Sequence, residues 1–153
     1  MKGLVANAQC DLNINGGNFD NFRAAVLNLD AVKMQSRHNS SGNTIAIGAL
    51  NGAATATLGG SSYAGGATYE IGARNEASVF SGTLTDGVAP TTVTKVGSNS
   101  LNLRGPHPFT GPANILDGTL YATGAFAGLL NVTGGSLSPG DPTTNVVGQV
   151  QAN

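Results

Sequence analysis

The sequence predicts an all-β fold, a parallel β-helix of about eight coils of about 18 residues, each coil stacked on the last. Three observations carry that expectation. Leu84, Leu101, Leu120 and Leu137 recur every ~17–19 positions, and Leu12, Leu29 and Ile47 keep the same step, which is the mark of a repeat. Each marker stands in a short segment of strict alternation, the pattern of a half-buried strand. Glycine supplies 23 of the 153 residues, about twice its usual ~7%, and glycine pairs interrupt the alternating segments.

The elements follow in chain order. "DLNIN" puts Leu12 and Ile14 on one face, and "VLNLD" does so with Leu27 and Leu29. A helix competes here, because Phe22, Val26, Leu29 and Val32 fall at spacings of 4, 3 and 3. The alternation of Leu27-Asn28-Leu29 and the lack of a C-cap after Met34 favour the strand. "TIAIG" pairs Ile45 with Ile47, and "SLNLR" pairs Leu101 with Leu103. Ile47 and Leu84 stand about two such steps apart, with "ATYEIG" between them. Gly16-Gly17, Gly59-Gly60, Gly65-Gly66, Gly134-Gly135, Asp86-Gly87 and Asp117-Gly118 mark turns.

A triplet recurs as Gly82-Thr83-Leu84, Gly118-Thr119-Leu120 and Gly135-Ser136-Leu137. In a coil, glycine turns the corner, the hydroxyl residue faces out, and leucine faces in to stack on the leucine of the next coil. Leu84, Leu101, Leu120 and Leu137 are therefore expected to form one core stack. Asn residues in corners would stack into ladders. The chain is read as one solenoid domain, 1–153. A β-sandwich of eight short strands is the alternative, but it needs no fixed register of markers.

The stretch "VTKVGSNSLNLRGPHPFTGPANILDGTLYATG", residues 93–124, resembles the autotransporter-associated β-strand repeat, also called the passenger-associated transport repeat. The likeness rests on Thr94-Lys95, Gly97, Leu101, Leu103, Gly105, Phe109-Thr110-Gly111, Ile115, Gly118-Thr119-Leu120 and Gly124. Asn99 replaces the family's glycine, and Pro106, His107 and Pro108 depart from it in a corner. The resemblance implies a right-handed parallel β-helix in a secreted or surface-displayed bacterial protein. It implies no reaction and no catalytic residue.

Composition narrows the function. Net charge is −1 and only 10% of residues are charged, so clustered Lys and Arg for nucleic acid are missing. No run approaches the 18 or so apolar residues of a membrane span. "MKGLVANAQC" carries an A-x-A pattern, but Gly3-Leu4-Val5 is too short for the apolar region of a signal peptide. Cys10 is the single cysteine, so no intrachain disulfide forms.

Chemistry finds little purchase. Cys10, His38 and His107 have no partner at metal-ligand spacing, and Asp86, Asp117 and Asp141 do not recur in calcium-loop fashion. No cofactor is expected. Glu70 and Glu76, with Arg74 between them, are placed to face one another across a coil as a carboxylate pair, but "YEIGARNEA" fits an ordinary exposed strand and turn better. Asn39-Ser40-Ser41 and Asn131-Val132-Thr133 match a glycosylation pattern but read as turns.

The expected function is structural and non-enzymatic: an extracellular filament subunit, surface stalk or passenger segment. A glycan-binding surface is the alternative, favoured if Tyr63, Tyr69 and Tyr121 form one exposed row; a polysaccharide-active enzyme comes third. The expected partner is a second copy, joined head to tail; the alternative is that neighbouring segments of a longer chain cap the ends. Its contact strands would be "GLVANAQCDLNIN", with Leu12 and Ile14, and "NVVGQVQAN", with Val146 and Val150.

Overall fold

The computed structural model describes the backbone of Cys10–Ile14 and all of residues 22–37 and 43–144. Among the described residues fifteen strands follow one another: β1 Cys10–Ile14, β2 Val26–Leu29, β3 Val32–Ser36, β4 Thr44–Ile47, β5 Ala49–Gly52, β6 Thr57–Gly59, β7 Ala67–Ile71, β8 Ser78–Phe80, β9 Thr83–Leu84, β10 Thr91–Lys95, β11 Ser100–Leu103, β12 Ala113–Ile115, β13 Thr119–Ala122, β14 Leu130–Val132 and β15 Ser136–Pro139. They form three parallel sheets, ordered β1-β3-β6-β9, β4-β7-β10-β12-β14 and β2-β5-β8-β11-β13-β15. Every pairing is parallel and between non-consecutive strands, so the chain winds as a β-solenoid. The all-β parallel architecture is the one expected.

The coil count is not. The longest sheet of the described residues has six rungs, and the expected eight coils are not found. In the six-stranded sheet Leu27 pairs with Leu50, Gly52 with Phe80 and Ser78 with Leu101, at sequence separations of 23, 28 and 23. Only the last turns are short: Leu101 pairs with Leu120 and Leu120 with Leu137, at 19 and 17. Corner loops account for the difference. A solenoid corner absorbs extra residues at the surface without disturbing the ladder, so turn length drifts while strand register holds.

The helical spacing from Phe22 to Val32 resolves as two strands, β2 and β3, with a corner between them. Val32 is fully buried at the start of β3, and Phe22 packs against the core from a turn.

The core runs between the three sheets as columns of inward residues about 4.8 Å apart. One column of the six-stranded sheet holds Leu27, Leu50, Ser78, Leu101, Leu120 and Leu137. Beside it, Gly52 lies in register with Phe80, and a Cβ on Gly52 would stand 2.5 Å from the Phe80 ring. A large and a small residue in adjacent rungs thus fill the volume that two medium ones would. In the five-stranded sheet Tyr69 is fully buried and its hydroxyl donates to the Gly59 carbonyl at 2.6 Å, across the core to β6. Burial raises the phenol pKa above its ordinary value, and its polar contacts offset this only in part.

Polar rows line the outside. Asn51 donates to Asn28 at 3.1 Å, and Asn131 to Asn114 at 2.9 Å, each one coil apart. The hydroxyls of Thr119 and Ser136 stand 3.0 Å apart.

Candidate functional site

Of the four leucines expected in one stack, three share it. Leu101, Leu120 and Leu137 are in register in β11, β13 and β15. Leu84 is a correction: it lies in β9, in the four-stranded sheet, and pairs with Leu58. The Gly-Thr-Leu triplet marks a corner followed by an outward and an inward residue, and such corners precede both sheets. The step from Leu84 to Leu101 thus spans only part of one turn. Leu101 and Leu120 are buried, whereas Leu137 is partly exposed in the final rung.

Leu12 and Ile14 lie in β1, in register with Met34 and Ser36. Val146 and Val150 fall outside the described residues, as do His38 and the Asn39-Ser40-Ser41 pattern. Asn131 and Val132 stand in β14 and Thr133 directly after it.

The acids do not converge. Glu70 pairs with Arg23 at 2.6 Å, and Glu76 with Arg74 at 2.5 Å, so the two carboxylates serve separate ion pairs. Asp86 accepts the Thr91 amide on one oxygen at 2.7 Å. Its other oxygen accepts the Thr110 amide at 2.9 Å and the Thr110 hydroxyl at 2.7 Å. Asp117 accepts the amide of Gly118 at 2.7 Å. Among the described residues no three His, Cys, Asp or Glu side chains lie close enough to hold a metal ion. The tyrosines do not form a row, since Tyr69 is buried while Tyr63 is exposed.

Three buried polar groups escaped the sequence. Lys95 occupies an inward position of β10, in register with Ile71 and Ile115, and is 1% exposed. Its ammonium donates to the carbonyls of Val96 at 2.7 Å, Gly97 at 2.6 Å and Asp117 at 3.2 Å. Three N–H groups meet three acceptors, which is full satisfaction for a lysine. Burial lowers its pKa, and the nearby Asp117 charge partly restores it. The one sequence signal was the alternation of Thr91, Val93 and Lys95, which puts all three on one face.

Asp141 is the second. It is 6% exposed and accepts Asn102 Nδ2 at 2.8 Å, the Thr143 amide at 2.9 Å and the Thr143 hydroxyl at 2.8 Å. It also pairs with Arg104 Nε at 2.7 Å. Burial pushes its carboxyl up, but the bonds from Thr143, Asn102 and Arg104 win and hold it well below the usual carboxylate range. The network clamps the 141–144 turn onto β11, two rungs back.

His107 is the third. It lines a cleft of about 510 Å³ with Arg104, Pro106, Pro108, Thr123 and Phe126. No family model, curated protein or solved structure matches this chain.

Proposed function

We propose that this chain is a structural solenoid, a rod segment of an extracellular filament, stalk or passenger, and that it works without catalysis. The observation that carries the reading is the ladder architecture. Every described strand lies parallel on a strand of the neighbouring coil, polar rows of Asn, Thr and Ser face outward, and Glu70, Glu76, Asp86, Asp117 and Asp141 are each spent on an ion pair or turn. The resemblance to the transport repeat over residues 93–124 supports a secreted or bacterial surface location.

The edge of β14 that faces away from β12 supports a second copy as partner. In β14, the bonds of Ala113 to Leu129 and of Thr133 to Ile115 direct the alternate residues, Leu130 and Val132, toward the open edge. On the far side of the sheet the Asn43 and Ile47 carbonyls of β4 accept from β7, and the Gly48 amide just after β4 donates to the Phe22 carbonyl of the preceding coil. A second copy stacked head to tail on the β14 edge would cover Val132, which is exposed among the described residues. The six-stranded sheet is less receptive. Ser136 and Gly140 donate back to β13, so Leu137 and Pro139 face the edge, and Pro139 has no N–H to offer.

Light scattering and negative-stain microscopy of the purified chain test this. Rods whose length grows with concentration are expected, and Val132→Lys should shorten them. A monodisperse monomer at high concentration, indifferent to Val132→Lys, would overturn the assembly.

A further inference from the structure

The four-stranded sheet ends at β9, and the next layer of chain shows why. Across residues 106–109, Pro106 and Pro108 face outward while His107 and Phe109 are buried. The two prolines remove the N–H groups on either side of His107. The layer keeps one backbone bridge there, between His107 and Phe126. His107 therefore sits where the wall carries a single bridge in place of a strand ladder.

Its surroundings suit a neutral ring only. His107 is 2% exposed and stacks on Phe126, with ring centroids 5.9 Å apart. Phe109 meets Phe126 edge-on at 5.8 Å. Among the described residues neither Nδ1 nor Nε2 of His107 finds a hydrogen-bond partner. A neutral imidazole carries one donor and one acceptor, so burial already costs free energy, and a buried imidazolium costs far more. Burial pulls the pKa down to about 4, and the Leu103 backbone, short of good hydrogen-bond geometry, offsets this only in part.

The charged neighbours add to this. Arg104 lines the same cleft and is cationic. Asp141, an acid on that side, is already held by Arg104, Asn102 and Thr143. Asp86, on the loop after β9, is occupied by Thr91 and Thr110. Leu84, Phe109 and Phe126, the core residues of this wall, carry no charge.

We propose that His107 is an acid-triggered latch, whose protonation drives the ring out through the adjoining cleft and loosens the coils from β12 onward while the earlier coils stay wound. The cleft, rimmed by Pro106, Pro108, Ala125 and Ala127, gives the ring an exit. The solenoid localises the event, because each coil leans only on its neighbours. The direction follows from linkage. The open state takes up a proton below about pH 6.5 and the closed state only near pH 4, so opening grows as pH falls between them and levels off below.

Amide hydrogen exchange, followed by NMR from pH 7 to pH 4, tests the latch. Protection at Leu120, Tyr121 and Ser136 should fall by up to about 300-fold relative to Ile45 and Ile71. His107→Phe should abolish that fall. An equal fall in both proteins would overturn the proposal. Should His107→Phe not fold, the imidazole resonances of the unaltered ring decide, with His38→Gln providing the assignment. A midpoint near 4 that coincides with lost protection supports the latch, and a midpoint near 6.5 overturns it.

Discussion

The Lys95 ammonium reaches the Asp117 carbonyl oxygen, 22 residues later and one coil on, at 3.2 Å. The same nitrogen holds the carbonyls of Val96 and Gly97 in its own corner. One buried cation thus ties two successive corners together, in a column otherwise made of Ile47, Ile71, Ile115 and Val132.

Lys95→Met keeps most of the apolar stem and removes the donors. Three carbonyls then lose a partner, at roughly 1–3 kcal/mol for each one left buried and unmet. We expect a loss of several kcal/mol in chemical denaturation. A change under about 0.5 kcal/mol, the low end for a single hydrogen bond, would show that water replaces the ammonium at no cost.

The register of the leucines is open to a double-mutant cycle. Leu120→Ala should cost about 2–5 kcal/mol, as for a fully buried leucine. Leu137→Ala should cost clearly less, because the final rung is half-open. Leu101→Ala and Leu120→Ala, in register, should be non-additive by more than about 0.5 kcal/mol, whereas Leu84→Ala and Leu120→Ala should add. Coupling of Leu84 with Leu120 would contradict the sheet assignment.

Gly118 lies in the left-handed region at φ 67°, and an added Cβ would stand 2.3 Å from the Asn99 carbonyl oxygen and 2.8 Å from Lys95 Nζ. The first of those neighbours is backbone and cannot step aside. Gly118→Ala should therefore cost more than the ~1 kcal/mol of left-handed strain alone. Thermal melting against Gly124→Ala, where the φ is ordinary and the nearest atom is 3.0 Å away, provides the control.

Asp141 gives a pH dependence of opposite origin to that of His107. Its folded-state pKa is depressed, so the stability it contributes is whole above the ordinary carboxylate range and is lost as pH falls through and below that range. Asp141→Asn should lower the melting temperature at pH 7 and bring the two proteins together in strong acid. Parallel melting curves at every pH would show that the carboxylate charge contributes nothing.

The sequence by itself determined the strands and their faces. Alternation in "VLNLD", "TIAIG" and "SLNLR" fixes which residues point inward, because a strand has period two whatever it pairs with. The triplets fixed corners for the same local reason: a glycine that turns, a hydroxyl facing out and a leucine facing in. Only the tertiary structure decided which sheet each strand joins and how many residues make a turn. That choice belongs to hydrogen bonds between strands at sequence separations from 17 to 28, across corners whose length the pattern does not constrain. Leu84 carries the same local signature as Leu120 and stacks elsewhere, on Leu58. Lys95 and His107 were illegible for a related reason. A polar residue in an alternating segment reads as a surface residue until the coils above and below are in place, and burial is a property of those neighbours.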